Sequence, residues 1–459
     1  MNIKLYNNFL MDIAIVCTDF FLVILSYIVS HRILLFINLP NNFDLEIAFF
    51  YALITVFMFY VYDFYTTQNR QKFGVVLSTI LVVLISTLSI IVLNFAFGDL
   101  FSITQKLFVF IMPVAMFIFL VLWKLLLLLI VRRFEGKPKL LVIEAKGVDN
   151  SLAKKIKYSY LELYDSWYNQ IDIENEKEID LFLNTEFKQY ESIFISPAIP
   201  EELRDRFLSQ AVSEGKEIYF IPDLYNISFI RNETVNFDDT PALRIRQFGL
   251  TKFQKTLKRL FDIFASLIGI FLTLPIMVAV AIAIKLDSKG PVFHLQERLT
   301  YNKKKFKVYK FRTMVENAEQ LTGPTLATSS DPRITKVGKV IRSTRLDELP
   351  QLFNILFGLM SIVGPRPERE VFVEHYCNKI PNYEKRFFAK AGLTGLAQVY
   401  ARYDTSPQDK TLYDLLYIKD YSLWIDIKLI LLTAKIIFTR ESSDGVKEKE
   451  NYQKSDVEV

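Results

Sequence analysis

Apolar and polar residues are distributed very unevenly along this chain. Four long apolar stretches come first, roughly Leu10–Phe36, Leu45–Tyr62, Val75–Phe97 and Leu107–Val131. Each predicts a helix able to cross about 30 Å of hydrocarbon. From Lys139 to about Thr240 the pattern becomes short and alternating. Lys139–Ala145, Tyr160–Trp167, Ser192–Pro197 and Lys216–Pro222 predict buried strands, and Pro200–Gly215 predicts a helix between them. Strands alternating with helices imply a small parallel α/β domain. A fifth apolar run, Phe261–Ile284, opens a third region that is otherwise amphipathic and basic. The expected fold class is a multi-domain membrane protein.

Charge placement orients the spans. Lys4, then Arg70 and Lys72, then Arg132, Arg133, Lys137 and Lys139 fall on alternate sides of successive spans, with Asp44, Glu46 and Asp99 on the opposite side. This positive-inside pattern puts the N-terminus and everything after Val131 in the cytoplasm. The first span carries Asp12 and Asp19 and ends at His31 and Arg32. Intramembrane carboxylates can mark a pathway; interfacial or inter-helix contacts are the expected role here. The fifth run differs. Pro275 lies in its middle, and Lys252, Lys255, Lys258 and Arg259 before it are matched by Lys285 and Lys289 after it. Length alone suits a fifth full span, whereas a proline bend with positive charge at both ends suits a helix that enters and returns to the same leaflet.

Composition narrows the class. The 459 residues are 51% hydrophobic and include forty phenylalanines but three histidines, which predicts two or three domains rather than one soluble core. A net charge of +5 suits an anionic membrane surface and argues against a nucleic-acid partner. Cys17 and Cys377 are the only cysteines, so neither a disulfide framework nor a thiolate metal site is expected. The first apolar run is too long for a cleavable leader and has no small-residue cleavage site after it. After the first strand, Ile143-Glu144-Ala145-Lys146-Gly147 lacks the glycines that admit a pyrophosphate. The α/β domain is therefore expected to be regulatory or architectural.

The candidate chemistry is C-terminal. Arg298, Lys303, Lys304, Lys305, Lys307, Lys310 and Arg312 arrive in quick succession, followed by Arg333, Lys336, Lys339, Arg342 and Arg345. Arginines beside turn-forming residues are the better phosphate ligands, because a planar guanidinium grips two oxygens. Within this field stands Asp347-Glu348, followed by Leu349-Pro350. Such a pair either favours a first helical turn or serves phosphate chemistry as divalent-cation ligand and, in a covalent route, nucleophile. Surrounding cations would keep at least one carboxylate ionised. Arg366, between Pro365 and Pro367, sits in a rigid loop.

Several stretches then match in order: KRLFD at 258–262, IKLDSKGPVFHLQER at 284–298, KFRTM at 310–314, DPRITKVGKVIRSTRLDELPQLFNIL at 331–356, MSIVGPRPE at 360–368 and GLTGLAQV at 392–399. With these the chain resembles the bacterial polyprenyl-phosphate sugar-phosphate transferases, the monotopic phosphoglycosyltransferase family, in its long form with an N-terminal four-helix bundle. The resemblance implies a four-helix transmembrane domain over 1–135 and a Rossmann-like α/β domain over 136–245. It further implies a mainly α catalytic domain over 251–440, with a re-entrant helix at about 256–286 broken around Pro275, and a polar tail over 441–459. It makes Asp347 the nucleophile and Glu348 its partner, both associated with Mg²⁺. Lys310, Arg312 and Arg366 fall on its basic motifs, and Arg333 and Arg342 are further substrate-phosphate candidates. Thr300 and Lys303 stand where the family has glycines, and Tyr400-Ala401-Arg402 replaces its Asn-Gly-Arg; both departures touch specificity.

The implied reaction moves a hexose-1-phosphate from a UDP-sugar to undecaprenyl phosphate with release of UMP, starting exopolysaccharide, capsule or O-antigen synthesis. It would occur at the cytoplasmic face of the inner membrane, among membrane lipids, in a possible homodimer. The rival readings are a transferase moving the sugar alone and a non-enzymatic membrane scaffold or transporter.

Overall fold

The computed structural model describes residues 3–39, 44–62, 64–65, 72–96, 107–134, 139–147, 165–245, 247–315, 333–401 and 405–438. The chain divides into two compact units, Met1–Ile221 and Pro222–Val459. The expected tail at 441–459 lies outside the described residues.

The first unit opens with α1 (Ile3–Phe36), α2 (Leu45–Val61), α3 (Lys72–Ala96) and α4 (Phe108–Phe134). Helix α1 packs on α2 and α4, and α3 packs on the same two, so the four close into a ring. The segments Asp12–Phe36, Val75–Leu93 and Phe108–Ile130 are long and apolar enough to cross a membrane, as is Lys252–Asp287 in the second unit. This is a membrane protein. Helix α2, at 17 residues, is shorter, about 25 Å at 1.5 Å per residue. Its N-terminus is capped by the Asp44 carboxylate, which accepts from the amides of Glu46 (2.9 Å) and Ile47 (3.4 Å).

A charged knot joins three of these helices. Asp19 of α1 and Lys124 of α4 form an ion pair with no solvent exposure. The Tyr65 hydroxyl donates to Asp19 at 2.9 Å. The Lys124 ammonium also lies 4.4 Å from the Phe59 ring centroid and 3.9 Å from that of Phe64, where the aromatic faces favour a cation. The intramembrane carboxylate is thus the inter-helix contact expected of it.

Next come β1 (Lys139–Ala145), β2 (Asp165–Ile171), α5 (Glu176–Asn184), β3 (Ser192–Ile195), α6 (Glu201–Ser213) and β4 (Glu217–Phe220). The strands form a parallel sheet in the order β2-β1-β3-β4. Every residue of β1 after Lys139 is buried, as expected of a parallel strand covered on both faces. Phe182, Phe187 and Phe207 close its core. The second strand lies later than the expected Tyr160–Trp167, because its register pairs Ala145 with Ile171 and so brings buried Ile171 into that core. Residues 160–164 lie outside the described set.

The second unit begins with α7 (Leu224–Ser228), the hairpin β5 (Glu233–Phe237) and β6 (Thr240–Arg244), and α8 (Lys252–Asp287). The hairpin β7 (Phe293–Leu299) and β8 (Lys305–Phe311) follows, then α9 (Lys336–Ser343), α10 (Gln351–Leu356), β9 (Ser361–Val363) and α11 (Glu370–Lys379). Strand β10 (Gly392–Thr394) and helices α12 (Leu396–Tyr400), α13 (Pro407–Lys419) and α14 (Leu423–Phe438) complete it. It starts earlier than the boundary near 245–251 read from the sequence. Arg231 is one reason, since its guanidinium donates to the Tyr421 carbonyl at 3.1 Å.

Helix α8 has an inverted layout. Many of its apolar side chains, Phe264, Phe271 and Leu272 among them, are exposed, whereas Lys258, Asp262 and Ser266 are buried along with the apolar Met277, Val280 and Ile284. Lys258 pairs with Asp426 of α14 at 2.6 Å, and Asp262 accepts from the Ser361 hydroxyl and the Ile362 amide, both at 3.0 Å. Arg259 donates to the carbonyls of Ile355 and Leu356 at 2.6 Å each, closing the end of α10. The helix runs unbroken through Pro275, where an interruption had been expected. A proline removes one hydrogen bond from the ladder and bends a helix without having to end it, and two residues earlier the Thr273 hydroxyl bonds back to the Gly269 carbonyl at 2.7 Å.

The knot in the first unit makes a stability prediction. Asp19→Asn leaves the Lys124 charge buried without its counterion and should destabilise the protein by about 3–5 kcal/mol. Adding Lys124→Met should restore much of that loss. Thermal unfolding in detergent checks both, and additive losses would overturn the assignment.

Candidate active site

Asp347 and Glu348 lie on a single 3-10 turn, Leu346–Glu348, between α9 and α10. The turn is entered through Arg345, whose backbone is left-handed at φ +55°. That conformation costs an arginine roughly 1–2 kcal/mol; it ends α9 and reverses the chain so that the turn carrying both carboxylates lies against β8. Across from them, β8 alternates, and Lys310 shares a strand face with buried Phe306 and Val308. Asn354 of α10 fixes this strand by accepting from the Tyr309 amide at 2.9 Å and donating to the Lys307 carbonyl at 2.8 Å. Lys310 Nζ then reaches Glu348 Oε1 at 2.8 Å, and Arg366 Nη2 approaches the same oxygen at 3.5 Å.

The two carboxylates are driven apart in acidity. Burial, then the charge of Glu348, push Asp347 up to about 6 against the pull of Lys310, Arg342 and Arg366. Burial also raises Glu348, but Lys310, Arg366 and Arg345 overcome it and hold that carboxyl well below its ordinary range. At neutral pH both are charged, yet Asp347 has the more basic, hence more nucleophilic, oxygen.

Arg366 belongs to a segment held at every residue. The Ser361 hydroxyl and Ile362 amide donate to Asp262, the Val363 carbonyl lies 3.1 Å from the Tyr417 hydroxyl, and the Gly364 amide donates to the Thr394 carbonyl at 2.8 Å. The next four carbonyls all accept. Pro365 takes the Gly392 amide (2.9 Å) and Glu368 the Leu299 amide (3.1 Å). Arg366 takes the Arg386 guanidinium (3.1 Å) and Pro367 that of Arg298 (3.4 Å). Backbones approach so closely here that a Cβ on Gly364 would sit 2.2 Å from the Lys390 carbonyl oxygen, and one on Gly395 2.2 Å from that of Gly364.

Of the residues expected from the sequence, the structure brings Asp347, Glu348, Lys310, Arg342 and Arg366 together. Arg312 is turned elsewhere. It is buried and donates to the carbonyl and hydroxyl of Ser288 at 2.9 Å each, at the negative end of α8. Arg333 is placed by its carbonyl, which accepts from the Val315 amide at 2.9 Å, beside the Met314–Ile334 bridge. Pro275 lies within α8. Arg298 and Arg345 stood in the sequence only as members of the basic run, and Arg386 and Asp262 carried no role there. Arg345 stood out locally, as the basic residue two positions before Asp347.

Removing the charge of Glu348 should lower the pKa of Asp347, since that charge helps raise it. A carboxyl titration by NMR should place Asp347 near 6 in the wild type and clearly lower in Glu348→Gln. An unchanged or higher midpoint would contradict the coupling.

The family model described as bacterial sugar transferase matches residues 253–440, which contain this whole site. A UDP-glucose:undecaprenyl-phosphate glucose-1-phosphate transferase of Klebsiella pneumoniae is 35% identical over 300 residues, 64% of this chain and 64% of that protein. A UDP-N-acetylgalactosamine-undecaprenyl-phosphate N-acetylgalactosaminephosphotransferase of Aeromonas hydrophila is 45% identical over 253 residues, 53% of this chain and 59% of its own. A Bacillus subtilis relative is 48% identical over 130 residues, which make up 72% of its length. The chain thus spans less than two thirds of the first two relatives.

Proposed function

The chain belongs to the bacterial sugar transferase family, and from that premise we propose that it transfers a sugar-1-phosphate from a UDP-sugar to undecaprenyl phosphate. The observation that carries this reading is the unequal carboxylate pair ringed by Lys310, Arg342, Arg345 and Arg366. An Asp347 oxygen attacks the sugar-linked phosphorus, the bond from that phosphorus to the bridging oxygen breaks, and UMP leaves. An oxygen of the lipid phosphate then attacks the same phosphorus, and the Asp347 carboxylate is the leaving group. The acceptor dianion consumed matches the UMP dianion released, so neither step requires a proton. Glu348, neutralised by Lys310, holds that lysine beside the phosphates, and Arg366 and Arg342 offset the charge that accumulates there.

Mg²⁺ takes one or two carboxylates and completes its shell with phosphate and water oxygens. Two adjacent carboxylates fit that sparse set, and no cluster of three or more acidic, histidine or cysteine ligands occurs among the described residues. Asp347 and Glu348 would hold the ion, and when bound it would offset diphosphate charge.

The membrane architecture fits an enzyme with one soluble and one lipid substrate. In this reading the four-helix bundle anchors the chain in the inner membrane, and α8 is a re-entrant helix bent at Pro275. The site then faces the cytoplasm, and the parallel sheet is a Rossmann-like architectural domain without a dinucleotide. The sugar is a hexose or acetamido hexose, the product starts a surface polysaccharide, and the working form is a homodimer.

Asp347→Asn keeps the shape but removes the nucleophile, and turnover should fall on the order of 10³-fold or more. Wild-type protein given radiolabelled UDP-sugar without lipid should retain label on the Asp347 peptide and release stoichiometric UMP. Near-wild-type turnover in the variant, or UDP as product, overturns the reading. For topology, cysteines placed near Gly249 and Gly290 should both resist labelling from outside intact cells. Labelling at the latter alone would make α8 a full span.

A further inference from the structure

We propose that Arg386 and Asp414 are positioning residues for Arg366, aiming its guanidinium by holding its backbone; this rests on the phosphoryl-transfer reading above. The Arg366 side chain is 47% exposed and touches Glu348 only at 3.5 Å. A long, half-solvated side chain of this kind is directed mainly by where its backbone stands. Pro365 and Pro367 restrict the local dihedrals, but they do not fix the loop in space. That falls to the four carbonyl contacts, and the one on Arg366 itself comes from Arg386.

Arg386 is built for one geometry. It lies on the 3-10 turn Tyr383–Phe388 and is only 6% exposed, while Asp414, in the middle of α13, is 2% exposed. Arg386 Nη2 lies 2.7 Å from Asp414 Oδ2 and 3.1 Å from the Arg366 carbonyl, so one nitrogen serves both. Its Nη1 donates to the buried Tyr383 hydroxyl, and its guanidinium lies 4.9 Å from that ring centroid. Carboxylate, ring and hydroxyl together leave the fork a single orientation. A buried ion pair gives little net stability, whereas a charged donor makes a stronger bond to a carbonyl than a neutral one does. The pair is therefore better explained by where it places Arg366 than by what it adds to folding.

The test is a coupling cycle on full-length protein in membranes, with UDP-sugar and undecaprenyl phosphate. Arg386→Lys and Asp414→Asn should each lower kcat/KM by about 10²-fold, the scale expected for misplacement by about 1 Å. In an Arg366→Ala background the same changes should add less than about threefold, because their effect passes through Arg366. Full additivity, or no loss in the single variants, overturns the proposal. Where Asp414→Asn fails to fold by thermal unfolding, Tyr383→Phe removes one hydroxyl and enters the same cycle. Failure of the underlying reading looks different: wild-type protein would then release no UMP, or Asp347→Asn would stay active, whatever the cycle gives.

Discussion

Two neighbouring carboxylates in a half-buried site repel each other, and the second unit is arranged around keeping both charged. Glu348 is satisfied directly, by Lys310 at 2.8 Å and Arg366 at 3.5 Å. Asp347 is left with the rise to about 6 that burial and Glu348 impose. The asymmetry follows from strand alternation, because Lys310 can point only to one side of β8. Asn354 then fixes the register between that strand and the turn carrying both acids. Moving either partner would remove the difference in acidity between the two carboxyls.

The same unit is joined to an apolar helix through polar contacts. In a soluble protein α8 would bury its phenylalanines and expose Lys258 and Asp262; here the reverse holds. Its buried groups are also the anchors of the site. Asp262 holds Ser361 and Ile362, the first residues of the segment that ends in Arg366 and Glu368. Arg259 closes α10, which supplies Asn354. Displacement of α8 would therefore be felt at Arg366 and Lys310 together. This couples the exposed apolar face of α8 to the carboxylate pair without a separate relay.

The sequence made some of this legible and not the rest, for physical reasons. The apolar helices were readable because length and hydrophobicity act locally, and β1 because a strand buried on both faces is a continuous apolar run. The site pair and Arg366 were readable because charge density and flanking prolines are local signals too. Arg312 was not: two residues from Lys310 in the same basic motif, it lies beyond the end of β8 and turns to the helix terminus at Ser288. Arg345 was missed as a shaping residue because nothing local announces a left-handed arginine, where glycine or asparagine is usual. The second strand shifted because its register is set by the core around Ala145, not by its own pattern.

Buried charge does different work in different places here. Lys124–Asp19, Lys258–Asp426 and Arg386–Asp414 each join segments distant in sequence, the first two 105 and 168 residues apart. Such pairs gain little over well-packed apolar residues, yet losing one partner is costly. They therefore penalise wrong arrangements more than they reward the right one. Lys310–Glu348 departs from that pattern. Its members keep partial exposure, 23% and 14%, and a third cation approaches the same carboxylate oxygen. The other three are sealed. Open on one side, Lys310–Glu348 can exchange partners at a smaller cost than a sealed pair.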